Sequence, residues 1–151
     1  MSVPARKTAE TTLRTSARLW SAILVGVVAI IFAFPAGMTL AIINWQRMGM
    51  LLKARRYLYA TVFSTYAFVI LLLLLPGDIS RIVYFILNVI VFFFLRREID
   101  QDTDAYAYAG NEVHPANPFL AVAIGLGILI LIIFLFGVTS ILLVSLGLVK
   151  L

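Results

Sequence analysis

Apolar residues run through this chain in long blocks without strict alternation, and short polar clusters separate the blocks. The first extends from Leu19 to Trp45 and is interrupted once, at Pro35-Ala36-Gly37. The second, Tyr57 to Leu75, is closed by Pro76-Gly77-Asp78, because proline cannot continue a helix and glycine tolerates the turn. The third, "IVYFILNVIVFFFL", lies between Arg81 and Arg96, and the fourth reaches from Pro118 to Val149. Apolar runs beyond about 18 residues predict membrane-crossing helices, whereas barrel strands would be about ten residues long with a period of two. The pattern predicts an all-α polytopic membrane protein. A basic tail, 1–18, precedes a single membrane domain, 19–151. Its four hydrophobic segments are about 19–45, 57–75, 80–96 and 118–149, with cytoplasmic loops at 46–56 and 97–117.

Local signals refine the elements. Asp78 or Ser80 is the expected cap of the third helix, which forms an antiparallel hairpin with the second, continues past Arg97 into water and stops near Gly110. Asn117-Pro118 reads as a helix start, with asparagine as N-cap and proline in the first helical position. The last apolar run is about 48 Å long as a helix, against a hydrocarbon core of about 30 Å. It must tilt, kink near Gly137-Val138-Thr139-Ser140, or leave its tail in the interface. The segment "QRMGMLLKARR" at 46–56 places Met48, Leu51 and Leu52 at helical spacing beside four cations, as an amphipathic turn or two along the interface would.

The interruption at Pro35 allows two arrangements: one kinked span, or a re-entrant hairpin that enters and leaves on the same face. Under the hairpin, ten of the twelve Lys/Arg face the cytoplasm, leaving only Arg81 and Lys150 outside; a single span divides them six and six. The positive-inside rule therefore favours the hairpin. Against it stands the cost of unpaired backbone in a turn at membrane depth, unless protein packs around that turn. Both arrangements put 46–56 and 97–117 in the cytoplasm.

Composition narrows the chemistry. Of 151 residues, 63% are hydrophobic and 13% charged, too few polar groups to cover a soluble domain. The absence of cysteine removes disulfides, thiol chemistry and iron–sulfur ligation, and one histidine, His114, rules out a histidine-rich metal cluster. The N-terminus reads as uncleaved, since its basic region runs to Arg18 and Phe34 and Pro35 spoil the small-residue site. Myristoylation would need glycine where Ser2 stands, and no cysteine is present for other lipid chains. The net charge of +5 sits in clusters beside apolar segments, which suits anionic lipid headgroups as well as topology.

Pro35, Gly37, Asn44, Trp45, Arg47 and Gly49 form a Gly/Pro-interrupted apolar segment followed by "NWQRMG". This resembles small bacterial four-segment membrane proteins in which a similar interruption precedes an Asn-aromatic-x-basic-x-Gly element. The resemblance implies a bacterial inner membrane and brings no activity with it.

Asp100, Asp102 and Asp104 open like an EF-hand loop, but the sixth and twelfth positions are Ala105 and Asn111 where glycine and an acidic residue are needed. Arg96 and Asp100 are expected to pair along the helix instead. Asn88 is the most polar residue within the spans, and the hairpin register sets it near Ser64, Thr65 and Tyr66, with a structural hydrogen bond across the hairpin expected. No acidic or basic residue is buried in a span, which disfavours ion-coupled transport. His114 has no evident nucleophile or acidic partner, and no hydrolase, zinc-protease or phosphate-loop motif occurs. The expected protein is non-catalytic and uses no cofactor or metal. It is an accessory or assembly subunit whose Arg47, Lys53, Arg55 and Arg56 meet anionic lipid and a membrane-protein partner or a second copy, with no nucleic acid. The alternative is a small oligomeric pore or carrier along Thr61, Ser64, Thr65 and Asn88.

Overall fold

The computed structural model describes residues 16–147; most of the basic tail and the final residues lie outside them. The chain begins with a short strand, β1 (Ser16–Leu19), and then enters α1 (Ala22–Phe32). Ser21 starts this helix, its hydroxyl accepting from the Leu24 N–H at 3.3 Å. α1 stops at Ala33, whose φ of 82° and ψ of 156° form a backbone conformation that a side chain strains by about 1–3 kcal/mol. α2 (Phe34–Arg47) then runs back against α1. The break falls two residues before Pro35, which sits in the first turn of α2, where its missing N–H would have had no helical partner.

Two observations show that α1 and α2 are antiparallel. A Cβ on Gly37 would overlap that of Ala29, so the helices touch backbone to backbone near the turn. At the other end Trp20, just before α1, is hydrogen bonded to Asn44, near the end of α2. Small residues permit this approach: Ala22, Ala29, Ala36 and Ala41 are all buried alongside Gly37.

A turn at Gly49 (φ 79°) leads into α3 (Leu51–Leu74). The basic segment is therefore not a separate interfacial element; its second half forms the first turns of α3. The turn at Leu75-Pro76 reverses the chain into α4 (Gly77–Tyr108), where Pro76 is the N-cap and Asp78 lies in the first turn without a side-chain capping bond. Neither Asp78 nor Ser80 caps this helix as the sequence suggested. α4 ends as expected just before Gly110 (φ 83°), with Ala109 as its C-cap. A second strand, β2 (Glu112–Pro115), pairs in parallel with β1, with Ser16 opposite Glu112 and Leu19 opposite Pro115. This ribbon of two four-residue strands is a small addition to an otherwise helical chain. α5 (Pro118–Ser145) starts at the predicted pair, Asn117 accepting from the Phe119 N–H at 2.9 Å, and passes unbroken through Gly137 to Ser140.

The described chain is mostly helical, and α3, α4 and α5 are long and apolar enough to cross a membrane. The core lies in the α1–α2 pair. Val25, Ala29, Ala36, Leu40, Ala41 and Trp45 are fully buried, while α3 buries only Ala54, Thr61 and Val69. α1 packs on α4 through Gly26 against Phe92, and on α5 through Val28 and Phe32 against Gly125. α2 packs on α3 through Phe34 against Phe68 and Trp45 against Tyr57. α3 and α4 are antiparallel and meet through the ring pairs Tyr57–Phe94 and Phe68–Tyr84, each with centroids 6.2 Å apart, while α2 packs against both. Between them runs a groove of about 520 Å³, floored by Phe34 and Met38.

Candidate functional site

The polar residues converge at one end of the bundle, where α1 starts, α2 ends, α3 starts and α4 leaves the apolar zone. Asn44 is its hub. Fully buried, it accepts from the Trp20 N–H at 3.1 Å and donates to the Trp20 carbonyl at 2.8 Å, satisfying a backbone stretch between β1 and α1 that no helix or sheet pairs. The Trp20 indole N–H then donates 2.8 Å to the Asn117 carbonyl, fixing the start of α5. Arg47 lies over the Trp20 ring at 4.5 Å and donates 2.7 Å to the Arg18 carbonyl.

A second cluster joins α2, α3 and α4. Lys53 donates to Glu98 at 2.7 Å and to Asp102 at 2.5 Å, and the Trp45 indole N–H donates to the same Asp102 carboxylate at 2.6 Å. Lys53 also sits over the Trp45 ring at 4.9 Å, and that ring packs on Tyr57 with centroids 4.6 Å apart. One cation between two carboxylates is charge-assisted bonding that clamps the helices. It leaves Lys53 little freedom to meet a lipid or a partner.

The four cations expected to make external contacts thus divide. Arg47 and Lys53 are tied into the fold, whereas Arg55 and Arg56 are exposed on α3. Among the described residues, no carboxylate lies within 4 Å of Arg55, Arg56 or Arg97. The Arg96–Asp100 pair forms at 4.0 Å, with both side chains more than half exposed, and at that distance contributes little.

The intramembrane polar residues do not assemble. Asn88 is buried, but its amide donates to the Tyr84 carbonyl of its own helix at 2.8 Å, and its Oδ1 has no partner among the described residues. The bond expected across to the second span does not form, although the Phe68 and Tyr84 rings stack across the two helices with centroids 6.2 Å apart, one turn from Asn88. Thr61, Ser64 and Thr65 likewise donate to carbonyls of α3 itself, and Tyr66 is exposed. His114 stands 3.6 Å from Glu112 on β2, both exposed. Among the described residues no three His, Cys, Asp or Glu side chains gather as metal ligands. Nor does any serine or threonine in the described hydrogen-bond network face a base.

Two elements of this end escaped the sequence reading. In sequence Asn44 stands out only as part of "NWQRMG", although an asparagine near the end of an apolar helix signals a buried partner. The β1–β2 ribbon left no usable signal, since "SARL" and "EVHP" are too short to show a period. No protein-family model, curated protein or solved structure matches this chain.

Proposed function

We propose that this chain is a non-catalytic integral protein of the bacterial inner membrane, an accessory or assembly subunit whose charged end contacts anionic headgroups and a partner. The observation that carries the reading is the start of α3. Arg55 lies exposed and unpaired among the described residues, beside Leu51 and Leu52, which are 65% and 86% exposed. Arg55, Tyr59, Val62 and Tyr66 continue this exposed face along the helix. A basic head with an apolar rim suits a protein surface better than open water. In native membranes solubilised in mild detergent, Leu52→Gln with Arg55→Gln should release a co-purifying protein while insertion is unchanged. Recovery of the wild-type chain alone, as a symmetric oligomer, would overturn the subunit reading. The pore alternative has less support, because the candidate pathway hydroxyls all bond back to α3 and the groove beside them is apolar.

We also read α1–α2 as re-entrant. The helices are about 16 Å and 21 Å long, too short to cross a core of about 30 Å. The Trp20–Asn44 bonds bring their outer ends to one side, level with the starts of α3 and α5. Packing by α3, α4 and α5 encloses the turn that an isolated hairpin would expose. The chain has no cysteine, so single cysteines report topology directly. In intact cells, Ser16→Cys, Leu52→Cys and Tyr108→Cys should resist a membrane-impermeant thiol reagent, while Asp78→Cys should react. Labelling of Ser16→Cys with the other two protected would leave the single kinked span.

A further inference from the structure

We propose that the groove between α3 and α4 holds one acyl chain of an anionic phospholipid, with its phosphate met by Arg56 and Arg97. The inference rests on the membrane reading above, in which this end of the helices lies at the headgroups, and it assigns a specific ligand to that end.

The groove is long and apolar. Tyr57, Ala60, Ser64, Ala67 and Leu71 form one wall along α3, and Leu87, Val91 and Phe94 form the other. From Tyr57 to Leu71 the helix rises about 21 Å, more than the roughly 15 Å depth of one leaflet. The volume of about 520 Å³ falls within the range of small-molecule sites, about 300–1,000 Å³. The Ser64 and Thr61 hydroxyls in the wall are bonded to carbonyls of α3 and ask for no polar ligand.

The charged end decides what kind of lipid fits. Lys53 is one helical turn before Tyr57, and Glu98 is one turn after Phe94, so their ion pair bridges α3 and α4 across the end of the groove. A headgroup cannot emerge between the helices there and must leave sideways, toward lipid. On that open side stand Arg56, one turn before Ala60, and Arg97, one turn after Phe94, both exposed. Among the described residues no carboxylate lies within 4 Å of either guanidinium, and Glu98 and Asp102 are bonded to Lys53. Two free guanidiniums at the mouth of an acyl-sized groove favour a phosphate whose net charge no choline cancels.

The test uses the purified full chain in an uncharged detergent and follows its thermal midpoint. Dioleoyl phosphatidylglycerol at about a hundredfold excess over Kd should raise the midpoint by about 5–10 °C. Dioleoyl phosphatidylcholine should raise it by less than half as much, and glycerol phosphate, which lacks chains, not at all. Arg56→Gln with Arg97→Gln should weaken the affinity for phosphatidylglycerol about thirtyfold, near fivefold for each cation at an anionic surface, and so cut the midpoint shift at the same lipid concentration to about a third. Ala67→Phe, which fills the groove, should remove it, while Arg81→Gln at the far end of α4 should leave it intact. Equal responses to the two phospholipids, or an unchanged response in either groove variant, would overturn the proposal. So would a dimer that Ala67→Phe dissociates, because a second copy would then occupy the groove. The Leu52→Gln/Arg55→Gln variant should keep its lipid response, so loss of the partner and loss of the lipid are separate outcomes.

Discussion

Gly37→Ala is expected to destabilise the protein by about 1–2 kcal/mol, an overpacking cost near the top of its range, about 3 kcal/mol, less the roughly 1 kcal/mol that alanine gains over glycine inside a helix. The new methyl would overlap the Ala29 Cβ and stand 2.9 Å from the Val25 carbonyl oxygen and 3.0 Å from the Ala29 Cα. Two of those three neighbours are backbone, so α1 and α2 must separate to admit it. Gly26→Ala makes the contrasting case. The three nearest neighbours of its methyl all belong to the ring of Phe92, a half-buried side chain that can rotate away. Alanine also gains about 1 kcal/mol over glycine inside a helix, so this variant should fall within about 1 kcal/mol of wild type. Thermal midpoints of both variants in the same detergent check the ranking. Equal midpoints would mean that the α1–α2 contact is not the tight point of the fold.

The helical membrane character of the chain was legible because hydropathy reports the solvent of a helix, and lipid imposes long apolar runs. Three of the predicted segments correspond to α3, α4 and α5, and the Asn117-Pro118 start and the stop before Gly110 fell where caps and a left-handed glycine demand. Burial was not legible in the same way. α5 is the most apolar of the three long helices, yet it buries only Ala121, Gly125 and Thr139, whereas α2, with Asn44, Thr39 and Gln46 in it, is mostly buried. In a membrane large apolar side chains are content against lipid, so hydrophobicity does not mark the inside; small residues that let helices touch do. Ala22, Gly26, Ala29, Ala36, Gly37 and Ala41 carried that signal in the first segment.

The site was legible only in part, and for a related reason. Arg47, Lys53, Arg55 and Arg56 look alike in sequence, as cations beside a span. Which of them is spent inside the protein depends on partners far along the chain, Glu98 and Asp102 for Lys53 and Trp20 for Arg47. The three aspartates at 100–104 likewise resembled a cation loop, but one of them neutralises Lys53 and another faces Arg96. A tight turn implies a closed hairpin and so sets Asn88 against the second span, but spacing alone does not show that its amide turns back to the Tyr84 carbonyl of its own helix.

Two asparagines are almost fully buried, and their replacement should have opposite consequences. Asn44→Leu removes both partners of the Trp20 backbone, leaving a buried N–H and a buried carbonyl unpaired. At about 1–3 kcal/mol for each orphaned group, the loss should reach about 2–5 kcal/mol. It should also loosen the start of α5, since the Trp20 indole that holds the Asn117 carbonyl loses its anchor. Asn88→Leu leaves no backbone group unpaired: its amide bonds a carbonyl within its own helix, its Oδ1 already lacks a partner among the described residues, and the one side chain it interacts with there is Tyr84. That change should cost less than about 1 kcal/mol or stabilise slightly, as expected when an under-satisfied polar group leaves an apolar site. Thermal unfolding in detergent gives both values. The tryptophan emission maximum, from Trp20 and Trp45 alone, should move to longer wavelength only in the Asn44 variant. An Asn44→Leu protein as stable as wild type, with unshifted emission, would remove the Trp20–Asn44 link as the closure that keeps α1 and α2 folded back on each other.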